Sequence, residues 1–415
     1  MITRMSTPGQ HAAAIAQILK QQTALSRTQV QVASGRRIQS PADDPVGATR
    51  IMSNERAQAQ LTQYGRNADM ALQRLGSGEL ALADLGSLLQ RIHVVTVQAN
   101  NGAMDDASLR AISTEVRARA AELLQIANRQ DSNGEYLYAG FSTTTRPFAH
   151  DGLSATYGGD QGARQLQISA TQKIADSFNG ERVFMNIPAG NGQFVASAGV
   201  HAGTGVLGSN QVSDPLAWAA AAAAAAAVPQ PHTYTIQFAD ADADGTADNW
   251  EVVDAGGTQV ATGSYAGNAV ISFNGAQVSV SGQPAAGDTF TIAPAGTEDM
   301  FRTLDDLVAA LEGGADTPQS RAQLSTRLNK AMAQLARSMD HVDNLRAETG
   351  ARISALDSAG AQREDLQYQL DESLSALRDL DYAEAISRLN QQAAGLQAAQ
   401  TAYTRIGQMS LFDVL

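Results

Sequence analysis

Apolar side chains recur near both ends of this chain at intervals of three and four residues. Alternate steps of four and three residues from Leu324 to Leu377, which we call the stride, reach mostly apolar or small residues, including Leu335 and Leu366. A sustained 3.5-residue period is typical of a coiled-coil seam. Because an α-helix rises about 1.5 Å per residue, this stretch predicts a rod on the order of 80 Å long.

Proline, the strongest helix breaker, is absent from residues 46–146 and 319–415, so both intervals permit very long helices. Asp44 and Thr317 are each followed by a proline. An N-cap residue before a first-turn proline marks a helix start, and we expect one helix to begin at each of these positions.

The N-terminal interval predicts two helices. One leucine-rich stripe runs from Leu72 to Ile92, another runs from Leu109 to Ile126, and an Asn-Asn-Gly turn at residues 100–102 separates them. Two glycines at residues 76 and 78 lie inside the first stripe, where each costs about 1 kcal/mol relative to alanine, so a break there is an open alternative.

The extreme ends keep the helical period but contain fewer apolar residues. We predict that seven residues form an assembly seam there: Ile15, Ile18, Leu25, Ile386, Leu389, Leu396 and Tyr403. A seam diluted by Gln and Ala buries little apolar surface, worth about 25 cal/mol per Å², against an ordering cost of about 1–2 kcal/mol per residue. We therefore expect both ends to be disordered in the monomer and to fold when neighbouring copies add surface.

The middle of the chain has a different character. Residues 140–299 contain 21 of the 36 glycines, and short runs such as Tyr234 to Phe238 alternate apolar and polar residues between turn signals. This pattern predicts short antiparallel strands. The alanine tract after Trp218 favours a short surface helix or a linker.

One acidic segment in this β-rich region, residues 240–251, fits a calcium-loop pattern. Asp240, Asp242, Asp244 and Glu251 supply oxygen ligands of the kind that Ca²⁺ prefers, and Gly245 permits the sharp turn. The strand-like runs on either side do not fit an EF-hand, which needs flanking helices. We therefore favour an acidic hairpin tip over a calcium site.

Composition and charge exclude several classes of function. The 415 residues include no cysteine, so the chain forms no disulfide or thiolate metal site. A net charge of −13 argues against binding to nucleic acid or to an anionic membrane surface. The histidines show no zinc-ligand spacing, and the letters of a dinucleotide fingerprint at residues 203–208 lack a clear βαβ context. We expect no enzyme, no metal and no cofactor.

Four stretches carry a family resemblance. Residues 32–47, which include Ser-Gly-Arg-Arg and Asp-Asp-Pro, closely resemble a signature shared by bacterial flagellins and the related hook-filament junction proteins. Residues 133–141, Asn-Gly-Glu-Tyr-Leu-Tyr-Ala-Gly-Phe, resemble the exit of a junction protein from its helical arm. Residues 380–387 and 410–412 are similar to the C-terminal end of the same family.

The resemblance implies a structural role in the bacterial flagellum, at the hook-filament junction, as in the family of the third hook-associated protein. The implied partners are the first hook-associated protein, flagellin, further copies of the chain in a ring, and an export chaperone that binds the C-terminal helix. The N-terminal residues lack the features of a signal peptide, and the resemblance implies secretion through the type III channel of the flagellum to the extracellular junction.

The sequence thus predicts a mainly α, flagellin-like fold in which the N- and C-terminal helices pair in a long coiled-coil rod. We expect a terminal assembly domain (1–45 with 370–415), a helical rod domain (46–140 with 298–369) and a variable β-rich insert (141–297). Two alternatives stay open, a flagellin-like filament subunit and an adhesive or glycan-binding module that acts through the insert.

Overall fold

A computed structural model describes residues 7–150, 155–227, 231–242 and 245–408 of the chain. The described residues form seven α-helices and fourteen short strands. The helices are α1 (Thr7–Ser34), α2 (Pro45–Ala99), α3 (Asp106–Ala127), α4 (Pro215–Ala227), α5 (Met300–Glu312), α6 (Pro318–Arg378) and α7 (Tyr382–Gln408).

All fourteen strands lie between α3 and α5. They are β1 (Phe148–His150), β2 (Ala155–Tyr157), β3 (Gln165–Gln167), β4 (Lys173–Ala175), β5 (Ile187–Pro188), β6 (Phe194–Ala198), β7 (Val206–Val212), β8 (Tyr234–Ala239), β9 (Asn249–Asp254), β10 (Gln259–Ser264), β11 (Asn268–Phe273), β12 (Ala276–Ser281), β13 (Thr289–Pro294) and β14 (Thr297–Glu298). Every described strand pair is antiparallel. The prediction of a mainly α chain with a central β-rich region is confirmed.

The predicted helix starts are confirmed at both prolines. The Asp44 carboxylate accepts a hydrogen bond from the Gly47 amide (2.8 Å), and the Thr317 hydroxyl accepts one from the Ser320 amide (3.1 Å). Each of these bonds satisfies an amide that has no partner within the first helical turn. The alternative of a break at residues 76 and 78 is not realised: α2 continues through both glycines, which have open space beside them.

The helical core is built by α2, α3, α5 and α6, and its most deeply buried side chains include Leu85, Leu109, Leu304 and Leu328. A short π-helix, Glu181–Met185, and strands β1 and β5 add residues to this same core. Aromatic side chains link the two parts, since the ring centroids of Phe148 and Phe301 lie 5.4 Å apart. The β-rich segment therefore begins as part of the helical body.

A second, separate core lies within the larger sheets. The five-stranded sheet has the order β10-β9-β8-β13-β6, and the three-stranded sheet has the order β11-β12-β7. Their inward side chains, such as Ile236, Val278 and Phe290, are fully buried, and Trp218 of α4 joins them. The predicted 141–297 insert thus has two parts, and the part with its own core runs from Phe194 to Ile292.

Strands β5 and β14 pair where the chain enters and leaves this second part, and we call this place the neck. Ile187 pairs with Glu298, and the Ala189 amide donates a hydrogen bond to the Gly296 carbonyl (3.0 Å). The chain enters and leaves the larger sheets at neighbouring points, as expected of an inserted domain.

The predicted seam of α6 is buried from Leu324 to Ala359 and then changes phase. Leu366, which the 3.5-residue stride places in the seam, has 48% of its surface exposed, whereas Leu374 is buried. From the buried Ala359, the covered face takes two steps of four residues through the half-buried Arg363 and Gln367, which shifts the stripe around the helix. The stride was therefore wrong at Leu366 and Ser373, which are exposed, whereas its positions Leu370 and Leu377 are half-buried.

One window of α2 is apolar enough by composition and length to cross a membrane, and 44% of that window is buried within the protein. The buried residues include Leu85, Leu89 and Ile92 of the helical core. This pattern is that of the core helix of a folded protein.

The chain divides into two compact units. One comprises Met1–Arg66 and Ser358–Leu415, and the other comprises Asn67–Asp357. The first unit contains α1 and α7 with the adjoining parts of α2 and α6. The second contains both cores described above.

Candidate assembly surface

The helices α1 and α7 pack against each other in antiparallel fashion. At one end, the rings of His11 and Tyr403 meet edge to face with centroids 5.7 Å apart. At the other end, Gly35 lies against the Tyr382 hydroxyl. The paired faces bury few side chains completely, among them Thr28 on α1 and Ala385 on α7.

The seven predicted seam residues fall into two groups. Five are half-buried and share the face of Thr28 or Ala385, namely Ile18, Leu25, Leu389, Leu396 and Tyr403. Their spacing of seven residues within each helix keeps them on the seam of the pair. Ile15 and Ile386 are instead 45% and 46% exposed, so the single chain leaves them uncovered.

Two apolar residues of α1 that the sequence stride did not select are exposed as well. Leu19 and Val30 are 57% and 51% exposed, and at 100° per residue they lie within about 60° of Ile15 around the helix. The three form an apolar strip beside the paired face. Their spacing of four and eleven residues is the signal that could have identified them, since it also repeats on one helical face.

The expectation that both ends are disordered in the monomer needs one correction. In the single chain, α1 and α7 are already helical and paired. The reason is that the paired faces supply a narrow seam, with Thr28 and Ala385 almost fully buried. The seam remains thin, so the predicted dependence of these helices on neighbouring copies stays a prediction.

The flagellin-like signature at residues 32–47 fastens α1 to the turn between α6 and α7. The Arg37 amide and guanidinium donate hydrogen bonds to the carbonyls of Arg378 (2.7 Å) and Leu377 (2.8 Å), and the Leu380 amide donates to the Gly35 carbonyl (3.0 Å). These bonds satisfy carbonyls that the end of α6 leaves open. A hydrogen bond from the Ser375 hydroxyl, with help from Arg378, lowers the pKa of Asp379 at the same turn.

Two features favour glycine at position 35 of this junction. Its φ of 69° lies in the left-handed region, which costs other residues about 1–2 kcal/mol. A Cβ built on it would also come 2.7 Å from the Tyr382 hydroxyl oxygen. The glycine of the signature therefore lets α7 approach α1.

The motif at residues 133–141 forms the exit from α3 toward the strands. Asp160 organises it, because its carboxylate accepts hydrogen bonds from the amides of Phe141, Ser142 and Gly162 at 2.8–2.9 Å. These hydrogen bonds lower the pKa of the Asp160 carboxyl, and the bond from the Phe141 amide has the largest effect. Gly140 has a φ of 71° and no room for a Cβ, which would lie 2.4 Å from the Asp160 carbonyl oxygen.

Of the acidic segment, residues 240–248 connect the paired strands β8 and β9, so the segment lies at a hairpin tip, as favoured from the sequence. Carboxylate oxygens of Asp240, Asp242 and Asp248 lie within 4.8 Å of one another. Two of these carboxylates bind the loop itself, since Asp248 accepts from the Ala241 amide (2.8 Å) and Asp240 accepts from the Gly245 amide (2.8 Å). Exposed acidic groups that hold their own backbone are common in turns.

The other proposed calcium ligands do not join this cluster in the described structure. Glu251 lies within β9, opposite Gln237 of β8, and Asp244 lies outside the described residues. The dinucleotide-like letters at 203–208 run into strand β7, so they do not form the turn between a strand and a helix that the fingerprint needs.

Comparison with known families matches both helical arms. The family described as the bacterial flagellin N-terminal helical region matches residues 5–143, and the family described as the bacterial flagellin C-terminal helical region matches residues 327–415. The matched parts contain α1, α2, α3 and α7 with most of α6. The larger sheets lie between them.

Hook-associated relatives match most of the chain, whereas a flagellin matches less of it. Flagellar hook-associated protein 3 of Escherichia coli (strain K12) is 23% identical over 385 residues, which cover 92% of this chain and 90% of that protein. The crystal structure of FlgL from Xanthomonas campestris is 31% identical, with a TM-score of 0.68, and the match covers 78% of this chain and 99% of that one. Phase 1 flagellin of Salmonella naestved is 36% identical over 118 residues, only 28% of this chain and 23% of that flagellin.

Proposed function

Because the chain belongs to the flagellin-like family that includes FlgL and flagellar hook-associated protein 3, we propose that it is a structural subunit of the bacterial flagellum that joins hook to filament. The observation that carries this proposal is the likeness to hook-associated relatives over 92% and 78% of the chain, whereas the match to Phase 1 flagellin covers 28% of it. The same contrast disfavours the alternative of a filament subunit.

The thin terminal pair supports an assembly role for residues 1–45 with 370–415. It leaves Ile15, Leu19, Val30 and Ile386 exposed on helices that bury little within one chain. Exposed apolar strips of this kind mark protein contact sites. Residues 46–140 with 298–369 would form the rod layer, and the insert would face solvent.

The partners follow from this position. The chain would contact the first hook-associated protein on the hook side, flagellin on the filament side and its own copies around a ring. An export chaperone would hold α7 before secretion through the flagellar type III channel to the extracellular junction. Nucleic acid, membrane and catalysis have no part in the proposal.

Reconstitution tests the proposed function directly. Purified protein is added to isolated hooks that carry the first hook-associated protein, and flagellin polymerisation on them is followed by electron microscopy. We expect filaments to grow only when the protein is present. If hooks without it elongate equally well, the junction role is wrong.

A seam variant tests which residues carry assembly. Replacing Leu389 and Leu396 with Asp places charge on the half-buried face of α7, and we expect filament growth to be lost while the helical core melts as in the wild type. The matched control carries Asp at Gln391 and Gln397, which are exposed on the same helix. Equal loss in both variants would mean that charge on α7, rather than its seam, blocks assembly.

The adhesive alternative is tested by removing the part of the insert that has its own core. Since the Ala189 amide bonds to the Gly296 carbonyl, residues 190–295 can be replaced by a short glycine linker without stretching the neck. The structural proposal expects filament growth to survive this deletion. A variant that assembles but no longer attaches to surfaces or glycans would assign a binding function to the insert.

A further inference from the structure

A cleft between α5 and α6 contains a buried hydrogen-bond donor without an acceptor. Gln334 on α6 is 2% exposed, and its side-chain oxygen accepts a hydrogen bond from the Gly190 amide (3.2 Å). Because an amide donor requires the oxygen, this bond fixes which end of the Gln334 side chain is nitrogen. That nitrogen, Nε2, has no hydrogen-bond acceptor among the described residues.

Leaving such a donor unsatisfied is costly, so a buried donor with no protein acceptor calls for an acceptor from outside the described residues, a water or a ligand. Gln334 lines a cavity of about 270 Å³ together with Leu307 and Ala331. Because the side-chain oxygen of Gln334 already accepts from the Gly190 amide, its side-chain nitrogen is the polar atom that remains available to a group in this cavity.

Two cationic side chains, those of Arg327 and Lys330, also line the cleft. Arg327, Lys330 and Gln334 are spaced by three and four residues on α6, so they lie on one face of the helix. The described residues place no carboxylate within 4.0 Å of Arg327. Lys330 forms an ion pair with the Glu298 carboxylate at 3.8 Å, without a hydrogen bond between them, so its ammonium keeps donors for another group.

Two acidic residues also line the cleft and limit what can bind. Burial raises the pKa of Glu298, so the cleft opposes its charge even though Lys330 favours it. Asp306 is exposed at the rim on the α5 side. An anionic group would therefore sit toward α6, where the three donors are.

We infer that this cleft is a binding site for a carboxylate group, which accepts from Gln334 Nε2 and lies between Arg327 and Lys330. A carboxylate offers only acceptors and matches a set of donors of this kind. The cavity is slightly smaller than the about 300–1,000 Å³ typical of small-molecule sites, so it suits one Asp or Glu side chain or a small free carboxylate. The first source, a neighbouring subunit, rests on the proposed function, whereas the second does not.

The first arm of the test uses the free full-length protein. The side-chain amide signal of Gln334 is followed by ¹⁵N–¹H NMR, assigned by its loss in Gln334→Met, while sodium acetate is titrated against sodium chloride at equal ionic strength. We expect a saturable shift with acetate only, weakened several-fold in Arg327→Gln. Gln323 on the same helix is the matched control, because its Nε2 already donates to the His201 carbonyl (3.4 Å) and should not respond.

The second arm separates the two sources by comparing wild type and Gln334→Met on isolated hooks. A saturable acetate shift with unchanged assembly of the variant identifies a small free carboxylate as the ligand. Loss of assembly at least tenfold in the variant, with its monomer melting unchanged, identifies a carboxylate of a neighbouring subunit. No acetate shift together with normal assembly would overturn the inference and leave a bound water as the acceptor of Gln334. The acetate arm is informative even if the junction role itself fails.

Discussion

The terminal pair of α1 and α7 and the helical core of α2, α3, α5 and α6 share a helical period but differ in what they bury. Leu85, Leu304 and Leu328 in the core are fully buried, whereas the leucines of the terminal seam are only half-buried. Helical stability in proteins comes mainly from packing of the apolar face rather than from propensity. The core can thus stabilise one chain, and we expect the terminal pair to gain most of its stability from a neighbouring copy.

The largest expected difference is in local stability. We expect backbone amides of α1 and α7 in the monomer to exchange with solvent through local opening, and those of α3 to exchange only through global unfolding. Hydrogen exchange with mass spectrometry on the monomer measures this directly. Strong protection of residues 382–408, equal to that of α3, would remove the distinction between the two regions.

A pair of leucine substitutions tests the same contrast by mutation. Leu328→Ala removes a fully buried side chain and should destabilise the core by about 2–5 kcal/mol. Leu389→Ala, at a half-buried position, should leave the core melting transition unchanged because the terminal pair opens first. Thermal unfolding followed by circular dichroism compares them. A similar fall in melting temperature for both variants would show that core and terminal pair unfold as one unit.

The smallest effect concerns the turn that holds the terminal pair. Gly35→Ala introduces a Cβ at positive φ and against Tyr382, so we expect a loss of about 1–2 kcal/mol from the strained backbone and further weakening from the clash. Gly134→Ala is the matched control, because Gly134 also has positive φ (79°) but open space beside it. Faster exchange of α7 in the first variant alone is the expected result. Unchanged exchange of α7 in Gly35→Ala would mean that the junction tolerates a Cβ at this position.

Much of the fold follows from the order of residues alone. The caps at Asp44 and Thr317, the turn near residue 100 and the alternating strands are encoded by neighbours in sequence, and the structure has each of them. The signature at residues 32–47 also identified the family. These features are local, so a single sequence suffices to predict them.

Other features depended on which surfaces come together in three dimensions. The stride along α6 could not predict the change of phase that exposes Leu366, since the covered face of a helix depends on its partners. The sequence pattern also could not show that the insert has two parts, because Phe148 and Phe184 join the helical core through contacts with residues distant in sequence.

The candidate sites likewise combine features that the sequence predicts with features that only the structure reveals. The sequence located the terminal helices and selected seven seam residues, but only the packing of α1 on α7 separated the covered Ile18 and Leu25 from the exposed Ile15. It gave no sign of the cleft at Gln334, a polar residue within an apolar stripe. Periodicity and capping are properties of neighbouring residues, and the sequence determines them. Burial and unmet hydrogen bonds depend on what lies opposite, and only the tertiary structure decides that.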